Sequence, residues 1–205
     1  VPGEEKRRRY LRLMVSEIER LTRLIENILA FSRRERGLKR YSLKETDLYP
    51  LVSNIVESQR PRLEQQGFSL IFRGEGPLTA LADEEGIAQI LLNLLTNAEK
   101  YSDTRREIEV VLGEDELSLW VDVMDRGVGI DPGDRERIFR EFYRGDDSLT
   151  ARAQGAGLGL SISRNIARDH RGDLFVLPRE GGGSVFRLLL PRTSEKSVSR
   201  EEEIT

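Results

Sequence analysis

Three short segments constrain this 205-residue chain more than anything else in it: Asn93-Leu94-Leu95-Thr96-Asn97-Ala98-Glu99-Lys100-Tyr101, Asp125-Arg126-Gly127-Val128-Gly129-Ile130 and Gly155-Ala156-Gly157-Leu158-Gly159-Leu160. On a helix, Asn93 and Asn97 stand one turn apart, with Lys100 and Tyr101 a further turn along. They make a polar stripe beside the apolar one formed by Ile87, Leu91, Leu94, Leu95 and Ala98. The second segment puts a carboxylate on a glycine turn after an apolar strand. The third is a glycine-rich approach to another helix, where backbone N–H groups and the helix dipole favour an anion. Each piece alone is weak, since a lone Asp-x-Gly-x-Gly reads as a hairpin turn and a lone Asn on a helix as a solvated residue. In this order they describe one pocket, suited to a nucleoside triphosphate held with a metal ion.

The residue types fit that ligand. Amide oxygens of Asn93 and Asn97 are hard donors suited to Mg²⁺, which also takes oxygens from phosphates. Lys100 can neutralise phosphate charge and Tyr101 can cover an adenine face. The Asp125 carboxylate accepts a hydrogen bond from an exocyclic amine, so it favours adenine over guanine, whose O6 also accepts. Gly155, Gly157 and Gly159, with Leu158 among them, let backbone N–H groups approach phosphates ahead of a helix through Ile162 and Ile166.

Composition removes several other classes of function. No run approaches a membrane span or a signal peptide. The absence of cysteine excludes disulfides and thiolate metal sites and suits a reducing compartment, read here as cytoplasmic, although the parent protein could be membrane-anchored. Residues 1–40 hold 12 Lys and Arg against 6 Asp and Glu, within a chain of net charge −3. Those basic residues alternate with acids, which argues for a solvated helix surface or an acidic protein partner and against nucleic acid.

Leu11, Met14, Ile18, Leu21, Ile25 and Ile28 keep the spacing of a helix packed at coiled-coil angles, and Leu24, Leu29 and Phe31 widen the stripe toward a bundle. Gly37 is a plausible stop. After a stretch ending near Asp47 the pattern turns to mixed α and β. Helices are predicted over Leu51–Gln65, Ile87–Ala98 and Leu158–Ile166. Strands are predicted at Ser69–Arg73, Ile108–Leu112, Leu117–Val123, Leu174–Leu177 and Val185–Leu190, with a turn at Gly113-Glu114-Asp115. The class is α+β, a two-layer α/β sandwich preceded by one long helix. Residues 1–40, 41–192 and 193–205 form the three divisions, the last expected to be disordered.

The three segments, together with Phe139-Arg140-Glu141-Phe142-Tyr143-Arg144-Gly145 between the second and third, resemble the N, G1, F and G2 boxes of bacterial sensor histidine kinases. The likeness runs from about Arg7 to about Pro191. It implies a Bergerat-type ATP-binding fold of the GHKL superfamily, ATP and Mg²⁺ as ligands, and Asp125 as the adenine-recognition residue. The polar stretch from Ile130 to Gln154 resembles the family's ATP lid. Arg144 and Arg152 are then candidate phosphate clamps and Gln154 a second amide, while Ile138, Phe139, Phe142 and Tyr143 are expected to pack as the lid's hinge. With these, the candidate nucleotide set is Asn93, Asn97, Lys100, Tyr101, Asp125, Gly127, Gly129, Ile130, Gly155, Gly157, Leu158 and Gly159, and the candidate metal ligands are Asn97 and Asn93.

By the same resemblance, residues 1–40 correspond to the second helix of the dimerisation and phosphotransfer hairpin. The acceptor histidine would lie on a helix that this sequence does not contain. The one histidine, His170, stands at a predicted helix end and reads as structural, favoured by the helix dipole. Related ATPases of the gyrase, Hsp90 and mismatch-repair type carry a water-activating Glu where this chain has Asn93, and an amide cannot act as a base. Glu99 points off the stripe. The implied activity is transfer of the γ-phosphoryl to a histidine for onward relay to a response regulator, within a homodimer of the full-length kinase. The alternatives are a nucleotide-binding pseudokinase or switch module, a GHKL ATPase, and an interaction module that needs no nucleotide.

Overall fold

The computed structural model describes residues 6, 7, 10, 11, 14, 18, 41–102, 105–143 and 157–193. The chain divides into two units, Val1–Arg40 and Tyr41–Thr205. In the first, Lys6, Arg7, Tyr10, Leu11, Met14 and Ile18 are helical. Leu11, Met14 and Ile18, the described part of the expected seam, are exposed. Leu21, Leu24, Ile25, Ile28, Leu29, Phe31 and Gly37 lie outside the described residues, as does the tail from 194 onward. No described helix is long and apolar enough to cross a membrane.

The second unit runs β1 (Lys44–Asp47), α1 (Leu48–Gln65), β2 (Ser69–Arg73), β3 (Thr79–Ala82), α2 (Glu84–Tyr101), β4 (Glu107–Glu114), β5 (Ser118–Asp125), α3 (Gly159–Asp169), β6 (Asp173–Pro178) and β7 (Ser184–Pro191). Two single 3₁₀ turns, Pro132–Asp134 and Arg137–Phe139, follow β5. Five strands form one sheet in the order β2-β4-β5-β7-β6, with only the β2–β4 pair parallel. Strand alternation decides which face is covered. Ile108, Val110 and Leu112, then Leu119, Val121 and Val123, are buried with Phe186, Leu188, Leu190, Leu174 and Val176. The three helices pack on that face, which gives the expected two-layer sandwich.

On the other face Asp122 is also buried, and a buried carboxylate needs a partner. Arg187 supplies it with two parallel hydrogen bonds of 2.7 Å each, its guanidinium lying 5.1 Å from the centre of the Trp120 ring.

Several boundaries differ from the sequence expectation. Strands β1 and β3 were not expected. They pair antiparallel as a separate two-stranded sheet, and only Thr46, Ala80 and Ala82 of their eight residues are buried. Helix α1 begins at Leu48, not Leu51, because the Asp47 carboxylate caps it at Tyr49 N–H and also accepts from Leu78 N–H, both at 3.0 Å. The β4–β5 turn falls two residues later than predicted. Gly113 remains in the ladder opposite Trp120, while the Asp115 carboxylate accepts from the N–H groups of Leu117 and Ser118 and fixes the turn there. Leu117 is thus an exposed turn residue and not the start of a strand.

His170 is a tie between two helices. Its Nε2 accepts the Asp83 N–H at 3.0 Å, and its Nδ1 lies 2.7 Å from the Ile166 carbonyl oxygen. An N–H can only donate, so Nε2 is unprotonated and Nδ1–H donates to Ile166. The ring is therefore neutral here. Hydrogen bonding, and not the dipole attraction of a charged ring, accounts for its place at the end of α3. Neither nitrogen is open to an incoming group. His170→Ala leaves a cavity and takes the imidazole acceptor from the Asp83 N–H, while the Ile166 carbonyl oxygen keeps the backbone N–H of residue 170 at 3.1 Å, and urea denaturation should show a loss of about 2–4 kcal/mol. A loss near zero would mean that this tie contributes nothing.

Candidate functional site

Helix α2 is fixed at its start by Asp83, whose carboxylate accepts from Gly86 N–H and from Ser42 N–H, each at 2.9 Å. Glu84 and Glu85 in the first turn and Lys100 in the last complement the dipole. Ile87, Ile90, Leu91, Leu94, Leu95 and Ala98 are buried, so the neighbouring stripe of Asn93, Asn97, Lys100 and Tyr101 is left half-buried along the edge of the core.

Asn93 faces α3. Its Nδ2 donates to Ser163 Oγ at 2.9 Å. The first residue of α3 has to be glycine, because a Cβ on Gly159 would collide with Asn93 Oδ1. The Asn97 amide has no hydrogen-bond partner among the described residues, and the Lys100 ammonium lies 4.9 Å from the Tyr101 ring centre. Glu99 is taken up by Arg62 of α1 at 2.7 Å, away from this stripe. Among the described residues no group of three or more acids or histidines could hold a metal. A cation here would depend on amide oxygens and on the oxygens of its own ligand.

Asp125 ends β5 and is buried. Its Oδ1 accepts both Gly127 N–H at 2.7 Å and Ser184 N–H at 3.3 Å. Among the described residues nothing donates to Oδ2. Gly127 lies against the Tyr101 carbonyl, which brings the Asp125 turn to the C-terminal end of α2. Gly129 has a positive φ of 77°, and Ile130 packs on the core. Burial pushes the Asp125 carboxyl above its usual range, against the opposing pull of the two N–H groups and of the Arg179 charge.

At the third segment, Leu158 is buried and precedes α3 as an apolar N-cap, so no side chain caps the first N–H groups of that helix. Gly157 accepts the Phe142 N–H at 3.1 Å. That bond joins the two sides of the stretch from 144 to 156. Arg144, Arg152, Gln154 and Gly155 fall within that stretch and lie outside the described residues.

Of the four expected hinge residues, Phe139 is buried and Ile138 packs against the core. The Tyr143 hydroxyl donates to Asp134 at 2.8 Å, and Arg137 lies 4.7 Å from its ring centre. Phe142 does not pack: it is 66% exposed. Its backbone adopts a φ of 59° while its N–H bonds Gly157, and that left-handed turn carries the ring into solvent.

The groups that support this constellation carry no local sequence signal. Ser163 is legible only as a small polar residue on a buried helix face. Arg164 grips Asp173 through Nε at 2.9 Å and Nη2 at 3.1 Å, reaches Glu136 at 2.8 Å, and lies 4.8 Å from the Phe139 ring centre. It thereby fastens the Arg137–Phe139 turn to α3 and β6. Ser184 reaches Asp125 from a hairpin remote in sequence.

The perturbed Asp125 carboxyl has a consequence for stability. Its folded value lies above its unfolded one, so the folded state holds the proton more tightly. The contribution to stability is full below the unfolded value and is lost as pH rises through the folded value. Asp125→Asn has the same shape and no charge. It should melt at a higher temperature than wild type at neutral pH without ligand, and the difference should shrink as pH falls into the ordinary carboxylate range. Thermal melts at a series of pH values check this; a variant less stable than wild type at every pH would contradict it.

A family model described as histidine kinase-, DNA gyrase B- and HSP90-like ATPase matches residues 82–194. The sensor histidine kinase MtrB of Mycobacterium leprae is 35% identical over 185 residues, covering 90% of this chain and 33% of that protein. The chain spans about a third of the length of the curated relatives it matches first. Full-length ShkA in complex with AMPPNP superposes with a TM-score of 0.71 at 28% identity, over 85% of this chain and 36% of that one. The histidine kinase ThkA in complex with the response regulator protein TrrA gives 0.69 at 25% identity, over 91% and 52%.

Proposed function

This chain belongs to the family of histidine kinase-, DNA gyrase B- and HSP90-like ATPases, and we propose that residues 41–192 serve as the ATP-binding catalytic domain of a sensor histidine kinase. The γ-phosphoryl of ATP passes to a histidine on a separate helix and then to a response regulator, with the kinase acting as a homodimer. Residues 1–40 belong to the helical hairpin that carries the acceptor. Relatives support this reading: one is a sensor histidine kinase, one was solved with a nucleotide analogue, and one with its response regulator. The domain works in the cytoplasm.

Asn93 is the observation that carries kinase over hydrolase. In the ATPase relatives its position holds a Glu that activates water. Here it is an amide bonded to Ser163 and pressed against Gly159, with no capacity to accept a proton. The nearest acid on the helix, Glu99, is held by Arg62. A site without a base protects ATP from water until a protein nucleophile is brought in.

The residues present fit a nucleotide with Mg²⁺. Asp125 Oδ2 accepts the adenine amine while Oδ1 stays tied to the backbone. Tyr101 covers the base. The free amide of Asn97, with the Asn93 oxygen, would hold the metal ion, and that ion would supply charge neutralisation on the phosphates. Lys100 and the uncapped N–H groups at Gly157, Leu158 and Gly159 bind phosphate oxygens, joined by Gly155, Arg144, Arg152 and Gln154. Gly127, Gly129 and Ile130 shape the floor. Catalysis is then positioning and electrostatics, with no covalent step on this domain.

Two measurements test the reading. Calorimetry should show Mg-ATP binding at least roughly tenfold tighter than Mg-GTP, and Asp125→Asn should erase most of that preference because its amide donates to a guanine O6. Equal affinities in wild type would remove Asp125 from adenine recognition. With radiolabelled ATP, label should pass slowly to a separately supplied histidine-bearing helical hairpin and not to this chain, with His170→Gln leaving the transfer intact. Fast hydrolysis without an acceptor would favour the ATPase reading instead.

A further inference from the structure

Asp125 is supported from behind by charged side chains that belong to none of the glycine motifs. The loop from Arg179 to Gly183, between β6 and β7, folds back over the end of β5. Arg126 Nη1 donates to the carbonyl oxygens of Glu180 at 2.6 Å and Gly182 at 3.4 Å. Gly183 has a φ of 101°, and a Cβ there would collide with the Asp125 carbonyl, so this approach requires glycine. The next residue, Ser184, gives its N–H to Asp125 Oδ1. The position of the carboxylate therefore depends on the position of the loop.

Strand β4 grips that loop. Arg179 Nη2 bridges Glu107 Oε1 at 2.9 Å and Glu109 Oε2 at 3.0 Å. Glu107 also accepts from Arg126 Nε at 3.3 Å, and Glu109 from Arg73 Nε at 2.6 Å. The Arg179 side chain is only 7% exposed, and its buried Nη1 has no partner among the described residues. As a strut alone this is a costly choice, because an apolar contact would hold a hairpin without desolvating a guanidinium. What the arginine adds beyond an apolar residue is positive charge, and Asp125 lies within its field.

We propose that Arg179, held by Glu107 and Glu109, is a positioning residue that sets both the placement and the charge state of the Asp125 carboxylate for adenine recognition. The proposal rests on the reading of Asp125 as the adenine acceptor. The other charged or titratable residues on the elements that meet at this end of β5 are Arg126 on its own turn, which bonds Glu107 of β4 and the Glu180 carbonyl of the hairpin, and Lys100 and Tyr101 in the last turn of α2, whose Tyr101 carbonyl lies against Gly127. Arg179 is the cation that favours the ionised form, against the burial that disfavours it.

The test is Mg-ATP affinity of the full chain as a function of pH, for wild type, Arg179→Met, Arg179→Lys and Asp125→Asn. Arg179→Met should bind roughly tenfold more weakly at neutral pH, and the acid limb of its binding curve should move to higher pH. Arg179→Lys, which keeps the charge but loses the fork, should leave the limb near its wild-type position while recovering only part of the affinity. Should Arg179→Met fail to fold by circular dichroism, a second variant that removes the charge but keeps polar contacts, Arg179→Gln, decides: weaker binding with the acid limb moved to higher pH supports the proposal, and an unmoved limb or wild-type affinity overturns it. If Arg179→Met folds and binds as wild type does, or binds weakly with an unmoved limb, Arg179 is only a strut and the proposal fails while the adenine reading stands. Wild-type affinity in Asp125→Asn would instead overturn the adenine reading and the proposal with it.

Discussion

The site depends on the rotation of helix α2 about its own axis. One stripe of that helix is wholly buried and the adjoining stripe carries Asn93, Asn97, Lys100 and Tyr101. A turn of one residue, about 100°, would drive amides into the core and leucines into water. The penalty is several kcal/mol on either count, since each buried leucine is worth about 1.5–3 kcal/mol and an unpaired buried amide costs a similar amount. Hydrophobic burial is therefore what aims the polar stripe. Two polar ties fix α2 to α3: His170 takes the Asp83 N–H at one end, and Asn93 meets Ser163 further along. The second helix of the site is consequently located by the first.

That arrangement explains which parts were legible in the sequence. The stripe could be read because its period is that of a helix and its apolar neighbours share the period. The alternating residues of β4 and β5 exposed their buried face in the same way. Strands β1 and β3 could not be read, because Lys44-Glu45-Thr46-Asp47 carries no apolar alternation and is extended only through its pairing with Thr79–Ala82. The turn after β4 was displaced because glycine is the usual signal, whereas the Asp115 carboxylate captured two N–H groups and won. At the site, Asp125 and Gly127 were legible as a local motif. Ser184, Arg179 and Glu107 were not, since each reaches the Asp125 region across a fold-dependent distance in sequence that no period encodes. Phe142 was misread for a different reason: apolar character argued for burial, but a backbone bond to Gly157 decided the direction of its ring.

Asp125 and Asn93 are opposite solutions to the cost of burial. At Asp125 burial disfavours the charged carboxylate, and two N–H groups and a nearby guanidinium oppose that effect. On the function proposed above, a donor on the ligand would favour the carboxylate further, and a base that donates would be preferred over one that accepts. Asn93 gives up charge altogether. Its Nδ2 donates to Ser163 and its oxygen lies against Gly159, so it contributes shape and an oxygen but no basicity. The two choices fit one task. On the function proposed above, recognition of the base would be strengthened while the means of activating water is removed, so the nucleophile would arrive on another segment and the rate would be governed by how that segment is brought in.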